Sequence, residues 1–272
     1  MINSQRKEAF LIVSQNPSKR VLNLYSKIKE AVADRGEVYL LCHVKKTKAP
    51  DLDPDINVFT FTNDVLTDLQ YKAIRTKLVP GSNHFPVLQF FLTYPGFSHY
   101  WCIEDDVAFS GKWADLFDSI TPWLDYDFIT SHIRRYADIP DWAWWDSYRI
   151  PGEDFDPNGL ISSFNPIYRI SNLALKFVDT CLKNGYRGHH EVLLPSLLMR
   201  GGFSIADFST EENKVTPNLS FCTPRTMRWL PVYLFVGNDP NKLYHPVKAK
   251  ISFNQVMELI RRTVKNKKEY LT

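Results

Sequence analysis

Several things that define common protein classes are missing from this sequence. The four cysteines, Cys42, Cys102, Cys181 and Cys222, lie far apart, and no Cys-x-x-Cys pair occurs. That argues against a zinc ribbon and a disulfide framework, and predicts free core thiols in a reducing, cytoplasmic setting. No apolar run approaches the roughly 18 residues of a membrane span. Residues 1–8 are polar and charged, without the apolar centre of a signal peptide. No Gly-x-Gly-x-x-Gly follows the first apolar run, where Ser14-Gln15-Asn16-Pro17 stands instead. Gly-x-x-x-x-Gly-Lys-Ser/Thr and Gly-x-Ser-x-Gly are also missing. A dinucleotide-dependent dehydrogenase, a P-loop ATPase and a serine hydrolase are therefore disfavoured. Charge of either sign is not in excess: the net charge of +3 is too mild to argue for nucleic acid. There is no internal repeat, no low-complexity tract and no linker that divides the chain.

What is present reads as one α/β unit. Hydrophobic types make up 44% and charged types 23%, ordinary for a soluble globular chain. Residues 9–14 form a continuous apolar run, a first buried strand. Pro17 and Ser18 open a helix predicted over 19–34, with Val21, Leu22, Leu24, Tyr25, Ile28 and Val32 at helical spacing. Gly36 ends it, and residues 38–43 form a second strand. This β-α-β unit implies a parallel pair and a right-handed crossover. After a charged loop, residues 56–62 alternate as a third strand and 85–94 read as a helix. Further helices are predicted over 113–124, 173–184 and 192–199, and strands over 127–130, 160–170 and 203–208. Pro166 places the 160–170 strand at an edge or a bulge. The order predicts a single α/β domain over 1–250 with a mainly parallel central sheet flanked by helices. Residues 251–272 form a separate basic amphipathic helix. That helix is either an ordinary surface helix or a peripheral contact with an anionic surface, such as the inner face of a membrane.

The chemistry concentrates at residues 99–109. The apolar run Tyr100 to Ile103 stops at Glu104, Asp105 and Asp106, and Val107 to Phe109 is apolar again. Three adjacent carboxylates repel each other and are costly to bury without a counter-charge. The cluster is either a solvated turn or a site for a hard divalent cation. No Gly, Ser, Asn or Pro cushions it, which favours the cation. Removing one carboxylate is then expected to relieve repulsion and leave stability unchanged or higher. A second unusual stretch, 134–158, mixes Trp142, Trp144, Trp145, Tyr136 and Tyr148 with acids and prolines. Long irregular segments tend to be functional. Its aromatic residues either grip a ligand such as a sugar or fold back on the core.

The stretch Tyr100-Trp-Cys-Ile-Glu-Asp-Asp-Val-Ala-Phe109 resembles the D-x-D region of GT-A-fold glycosyltransferases. The resemblance extends to Tyr168-Arg-Ile-Ser-Asn-Leu-Ala-Leu175, to His190-Glu191 before an apolar helix, and to Lys242-Leu-Tyr-His-Pro-Val-Lys248. It implies a Rossmann-like GT-A domain and a nucleotide-diphospho-sugar donor. It also implies a hydroxyl acceptor on a glycan or glycolipid, as in polysaccharide biosynthesis, and Mn2+ or Mg2+ as cofactor. Asp106 and His245 would hold the metal. Glu104, Asp105, Lys248 and Ser14 would serve the donor. Glu191 would be the general base of an inverting transfer, with His190 or His189 orienting it. Trp142, Trp144, Trp145 and His190 would bind the acceptor. The residues alone also allow blander roles: His245 as a structural histidine, Lys248 as a solvated one, Glu191 as a helix-start residue. Two other functions stay open, a non-catalytic nucleotide-sugar- or carbohydrate-binding module and a sugar nucleotidyltransferase. The latter lacks support in the Ser14–Pro17 turn, which has no Gly-rich basic loop.

Overall fold

The computed structural model describes residues 7–45, 50–154, 156–209, 215–230, 232–250 and 256–257. The predicted C-terminal helix over 251–272 lies outside these residues except for Val256 and Met257. An eight-stranded sheet organises the rest. Its strands are β1 (Glu8–Ser14), β2 (Gly36–His43), β3 (Val58–Phe61), β4 (His99–Glu104), β6 (Phe128–Arg135), β7 (Ile161–Ser171), β8 (Ile205–Ser209) and β9 (Asn218–Cys222). A two-stranded ribbon joins β5 (Ala108–Phe109) to β10 (Leu243–Tyr244). The main sheet runs β3-β2-β1-β4-β7-β6-β8-β9, with every pairing parallel except the two that β7 makes. The expected α/β domain with a mainly parallel sheet is the one observed.

β4 shows why the sheet is buried on both faces. Tyr100 and Cys102 enter one core cluster, while Trp101 and Ile103 enter the other. Period-two side-chain alternation sends neighbours to opposite faces, so an all-apolar strand needs a layer on each side. Helix α1 (Lys19–Ala31) supplies one layer, burying Val21, Leu24, Tyr25 and Ile28. On the other face lie α3 (His84–Thr93), α5 (Asn172–Lys183) and α6 (His190–Arg200), whose buried residues share the cluster of Tyr100. The side chain of Ser171 accepts a hydrogen bond from the Ala174 N–H, as a helix N-cap does.

Two expectations need correction, and a third, Pro166 at an edge or a bulge, is met by its second alternative. The helix over 113–124 ends early: α4 spans Trp113–Ser119 and gives way to a 3-10 turn at Thr121–Trp123, where Pro122 cannot continue the α pattern. The 127–130 strand extends to Arg135 through polar but buried Ser131 and His132, which hid it from a search for apolar runs. Pro166 does not mark an edge, because β7 is central. Its register with β6 shifts between the Ile129–Arg169 and Ser131–Phe164 pairs, and the bulge there accommodates the proline.

At the opposite end of the sheet from the acidic turn, β1 and β7 are clamped across β4. The Arg169 guanidinium meets Glu8 at 2.5 Å with both side chains buried. The Trp101 indole N–H donates to the other Glu8 oxygen at 2.9 Å. Arg169 also donates to the carbonyls of Tyr126 and Leu124, both at 3.2 Å. Removing one partner of such a buried pair strands the other charge. Arg169→Met is expected to cost about 3–5 kcal/mol of stability, read by urea unfolding; a loss below about 1 kcal/mol, as for an exposed ion pair, would mean the pair is not buried as described.

Candidate metal and nucleotide site

Strands β1, β2, β3 and β4 run parallel, so Ser14, His43, Phe61 and Glu104 end at one edge of the sheet. That edge is where open α/β sheets bind ligands. Here it forms a cleft of about 370 Å³ lined by Ser14, Asn16, His43, Phe61, Asn83, Glu104, Asp105, Asp106 and Lys248, among others. The turn after Glu104 is tight: the Val107 N–H donates to the Glu104 carbonyl at 3.0 Å. The β5–β10 ribbon then folds the late segment back onto the turn. The Val247 N–H donates to the Asp106 carbonyl at 2.8 Å, which brings His245 and Lys248 to the carboxylates.

Each acid of the cluster has a different partner. Asp106 meets His245 Nε2 at 3.2 Å through one oxygen and Lys248 Nζ at 3.2 Å through the other. Glu104 lies 3.4 Å from His245 Nε2 and accepts from the Asn83 amide at 3.1 Å. Asp105 turns toward β1, where the Ser14 hydroxyl donates to it. These partners set the charge states. Burial opposes the charge on Asp106, but hydrogen bonds and charge from His245 and Lys248 outweigh it and hold the carboxyl below its usual range. Burial raises Asp105, and the Ser14 hydroxyl offsets part of that. Burial works against a charged His245 as well, yet Asp106 and Glu104 push its pKa up to about 10. The expected relief of repulsion on removing Asp106 is therefore overturned: its charge is compensated, and removing it would strand His245 and Lys248.

Glu104, Asp106 and His245 each offer one ligand atom, all within 4.8 Å of one another. His245 Nδ1 lies 2.9 Å from the Arg228 carbonyl. That contact keeps a proton on Nδ1, so Nε2, which is protonated toward the carboxylates while the site holds no cation, is the nitrogen that would give up its proton to act as a ligand. Two carboxylates and one imidazole fit a Mn2+- or Mg2+-type cation, with water or a ligand filling the remaining positions.

Glu191 opens α6 and does not line the cleft. Burial, and next the nearby charge of Glu104, push its pKa up to about 8, while the Asn165 backbone N–H and His245 act in the opposite direction. Asn165 was not singled out in the sequence, yet it fixes this corner. Its side-chain oxygen accepts from Thr130 and Ser163, both at 2.6 Å, and its amide donates to the His190 carbonyl at 3.1 Å. The β7 bulge beside Pro166 frees its backbone N–H for Glu191. Asn83, His43 and Phe61 were also missed. Each is a strand- or helix-end residue whose role depends on which edges the sheet brings together.

The histidines and tryptophans need correction. His190 is buried, with no hydrogen-bond partner for its Nδ1 among the described residues, so it lies inside the fold and not at an open surface where an acceptor contact was expected. His189 lies beside Glu191, its Nδ1 3.7 Å from the carboxylate, and does so as a neutral ring. Burial lowers its pKa to about 4, and its Nδ1 accepts from the Glu191 backbone N–H at 3.3 Å. Trp145 is buried, with its indole N–H on the Ile139 carbonyl at 2.8 Å, so it packs the core. Trp144 stacks on His189 at 4.4 Å and carries the Arg75 guanidinium at 5.1 Å. Trp142 meets Trp145 edge-on at 5.0 Å. Trp142 and Trp144 are half-buried and close over His189 rather than standing free.

No family model matches the chain, and no curated protein matches it in sequence. Solved structures overlap with it in part. One is the galactosyltransferase LgtC in complex with donor and acceptor sugar analogues, at 11% identity and a TM-score of 0.40, covering 73% of each chain. A glycosyltransferase involved in glycosylation of the major capsid of PBCV-1 matches at 11% identity and a TM-score of 0.31, over 64% of this chain and 66% of its own. The chain thus spans about two thirds of that protein's length. A putative glucose-1-phosphate thymidylyltransferase from Bacillus anthracis matches at 8% identity and 0.39, over 75% of this chain and 87% of its own. At such identities and TM-scores these likenesses carry no weight for function, which must be argued from the site.

Two measurements probe the charges. A cation at the cluster must displace the His245 proton, so Mn2+ binding should release about one proton and tighten with rising pH; calorimetry in buffers of different ionisation heat reads this, and binding without proton release would remove His245 from the ligand set. The second concerns Glu191. With its pKa raised from 4.5 to about 8, the unfolded chain loses the proton first, so this group costs stability as pH climbs between those values. In chelator, Glu191→Gln should melt higher than wild type at pH 8 and nearly level with it at pH 5; equal melting at both would show a solvated carboxylate.

Proposed function

We propose that the chain is a metal-dependent glycosyltransferase that moves a sugar from a nucleotide-diphospho-sugar to a hydroxyl acceptor with inversion. The observation that carries this reading is the Glu104–Asp106–His245 donor set at the C-terminal edge of the sheet, with the buried carboxylate of Glu191 held nearby.

Asp106, Glu104 and His245 would hold the cation. When bound, it supplies positive charge against the negative charge that grows on a leaving diphosphate. The chain's own residues do the rest. Lys248, whose side chain is 42% exposed, leaves its pairing with Asp106 to meet a phosphate oxygen in the same cleft. His43 and Phe61, stacked at 5.2 Å, give the cleft an aromatic wall suited to a nucleotide base. Ser14 holds Asp105 in place, and the ordered Asp105 carboxylate then accepts from a ribose hydroxyl.

Glu191 takes the proton of the acceptor hydroxyl. A base near neutral pKa suits this task, because it is ionised often enough to accept a proton and basic enough to pull one. Burial supplies that basicity, and the Asn165 N–H limits it. Inversion needs one carboxylate on the face away from the leaving group, and this reading gives that place to Glu191.

A panel of nucleotide sugars assayed with Mn2+ and with chelator tests the whole. Asp106→Asn should abolish metal-dependent turnover. Glu191→Gln should lower kcat by about two to four orders of magnitude with donor affinity nearly unchanged. The product anomer, read by NMR, should be inverted relative to the donor. Full turnover in chelator would refute the metal's part, and a near wild-type Glu191→Gln rate would refute the base.

A further inference from the structure

Charge is unevenly divided along the chain. Residues 213–250 carry six Lys and Arg against one Asp, whereas residues 1–212 carry 22 Lys and Arg against 27 Asp and Glu. No acid occurs between Asn213 and Asn238. Within this basic part, Trp229, Leu234 and Phe235 are exposed by 59%, 52% and 77%. Isolated exposed apolar residues are normal, but three on one short loop of a basic region form a pattern.

The loop is not slack. The Tyr233 N–H donates to the Pro246 carbonyl at 2.8 Å, and the Lys248 N–H returns to the Tyr233 carbonyl at 2.8 Å. The Arg228 N–H donates to the His245 carbonyl at 3.2 Å, and the His245 N–H to the Thr226 carbonyl at 2.9 Å. The Tyr233 hydroxyl donates to the Arg225 carbonyl, and the Arg228 guanidinium lies 4.4 Å over the Tyr233 ring. The apolar side chains are thus presented on a loop sewn to the segment that carries His245 and Lys248. Arg225 and Lys250 are exposed on the same two segments.

We propose that loop 225–236 seats the protein on an anionic lipid bilayer, with Trp229, Leu234 and Phe235 entering the interface and Arg225 and Lys250 facing lipid phosphates. Stable peripheral binding needs two signals, apolar insertion and charge attraction, and the loop offers both. Trp suits the headgroup level. A soluble anionic polymer would answer the charge but leave the apolar side chains in water, so the bilayer is the better match. Resting on the glycosyl-transfer reading, the consequence for the acceptor is that it is a hydroxyl carried on a lipid and met at the membrane surface. The contact is distinct from any made by the basic stretch 251–272.

Co-sedimentation of the full chain with vesicles tests it, using phosphatidylcholine alone and an equal mixture with phosphatidylglycerol. Wild type should bind the mixed vesicles, weakly bind the neutral ones, and lose binding as salt rises. The double variant Leu234→Ser/Phe235→Ser should bind the mixed vesicles about tenfold more weakly or worse. Its melting temperature should be unchanged, since both residues are exposed. Arg225→Gln/Lys250→Gln should bind less at low salt and respond less to added salt. The proposal is overturned by no binding to mixed vesicles, by a double serine variant that binds as wild type, or by retention on heparin without vesicle binding. Vesicle binding is read without donor, metal or turnover. A failure of glycosyl transfer would then leave this result standing, and the reverse also holds.

Discussion

Three carboxylates at the mouth of a buried strand set the constraint on everything near them. Bare, they would destabilise the turn through mutual repulsion and lost hydration. The fold answers each one separately. Ser14 from β1 holds Asp105, Asn83 at the start of α3 holds Glu104, and the late segment brings His245 and Lys248 to Asp106. The consequence is that residues separated by well over a hundred positions must arrive together. The β5–β10 ribbon is short, but it is the device that delivers the last of them. The cluster is compensated without a cation by a proton on His245, and with one by the cation itself. A site of this design exchanges one positive charge for another and keeps its shape.

Much of the scaffold was readable because local and global demands agree. The apolar run of β1, the amphipathic spacing of α1 and the Gly36 stop all point to one β-α-β unit, and the structure contains it. The acidic turn was readable for the opposite reason: a run of charges with no turn residues around it is a local conflict, and such conflicts mark sites. What the sequence hid was context. β9 and β10 are short and carry no clean alternation, so they look like loop. Asn83 and Asn165 are single amides whose importance comes from a bulge and a helix start that no pattern reveals. The aromatic stretch misled in part, because a tryptophan that packs and one that binds are the same letter. Burial separates them: Trp145 is inside and its N–H is used, while Trp142 and Trp144 lean on His189.

The two ends of the sheet do different work. At one end, the Glu8–Arg169 pair and the Trp101 indole tie three strands together with charges that never meet solvent. At the other, the carboxylates keep one face open to a cleft. Structural charges are matched inside the chain, whereas site charges are left able to change partner. Both arrangements are ionic, and access to the cleft separates them.

The lone antiparallel strand has a further consequence. Because β6 and β7 are antiparallel neighbours, β6 ends and β7 begins at the same edge as the acidic turn. The connection over 136–160 is therefore the tip of a very long hairpin, anchored at both feet by the sheet and in its middle by buried Trp145 and Tyr148. Closing a longer loop costs little, about 0.6 kcal/mol for each doubling. Evolution or a designer could lengthen, shorten or replace the stretches between these anchors without disturbing the register beneath them. Selectivity for whatever is admitted at this edge can then drift independently of the stability of the fold.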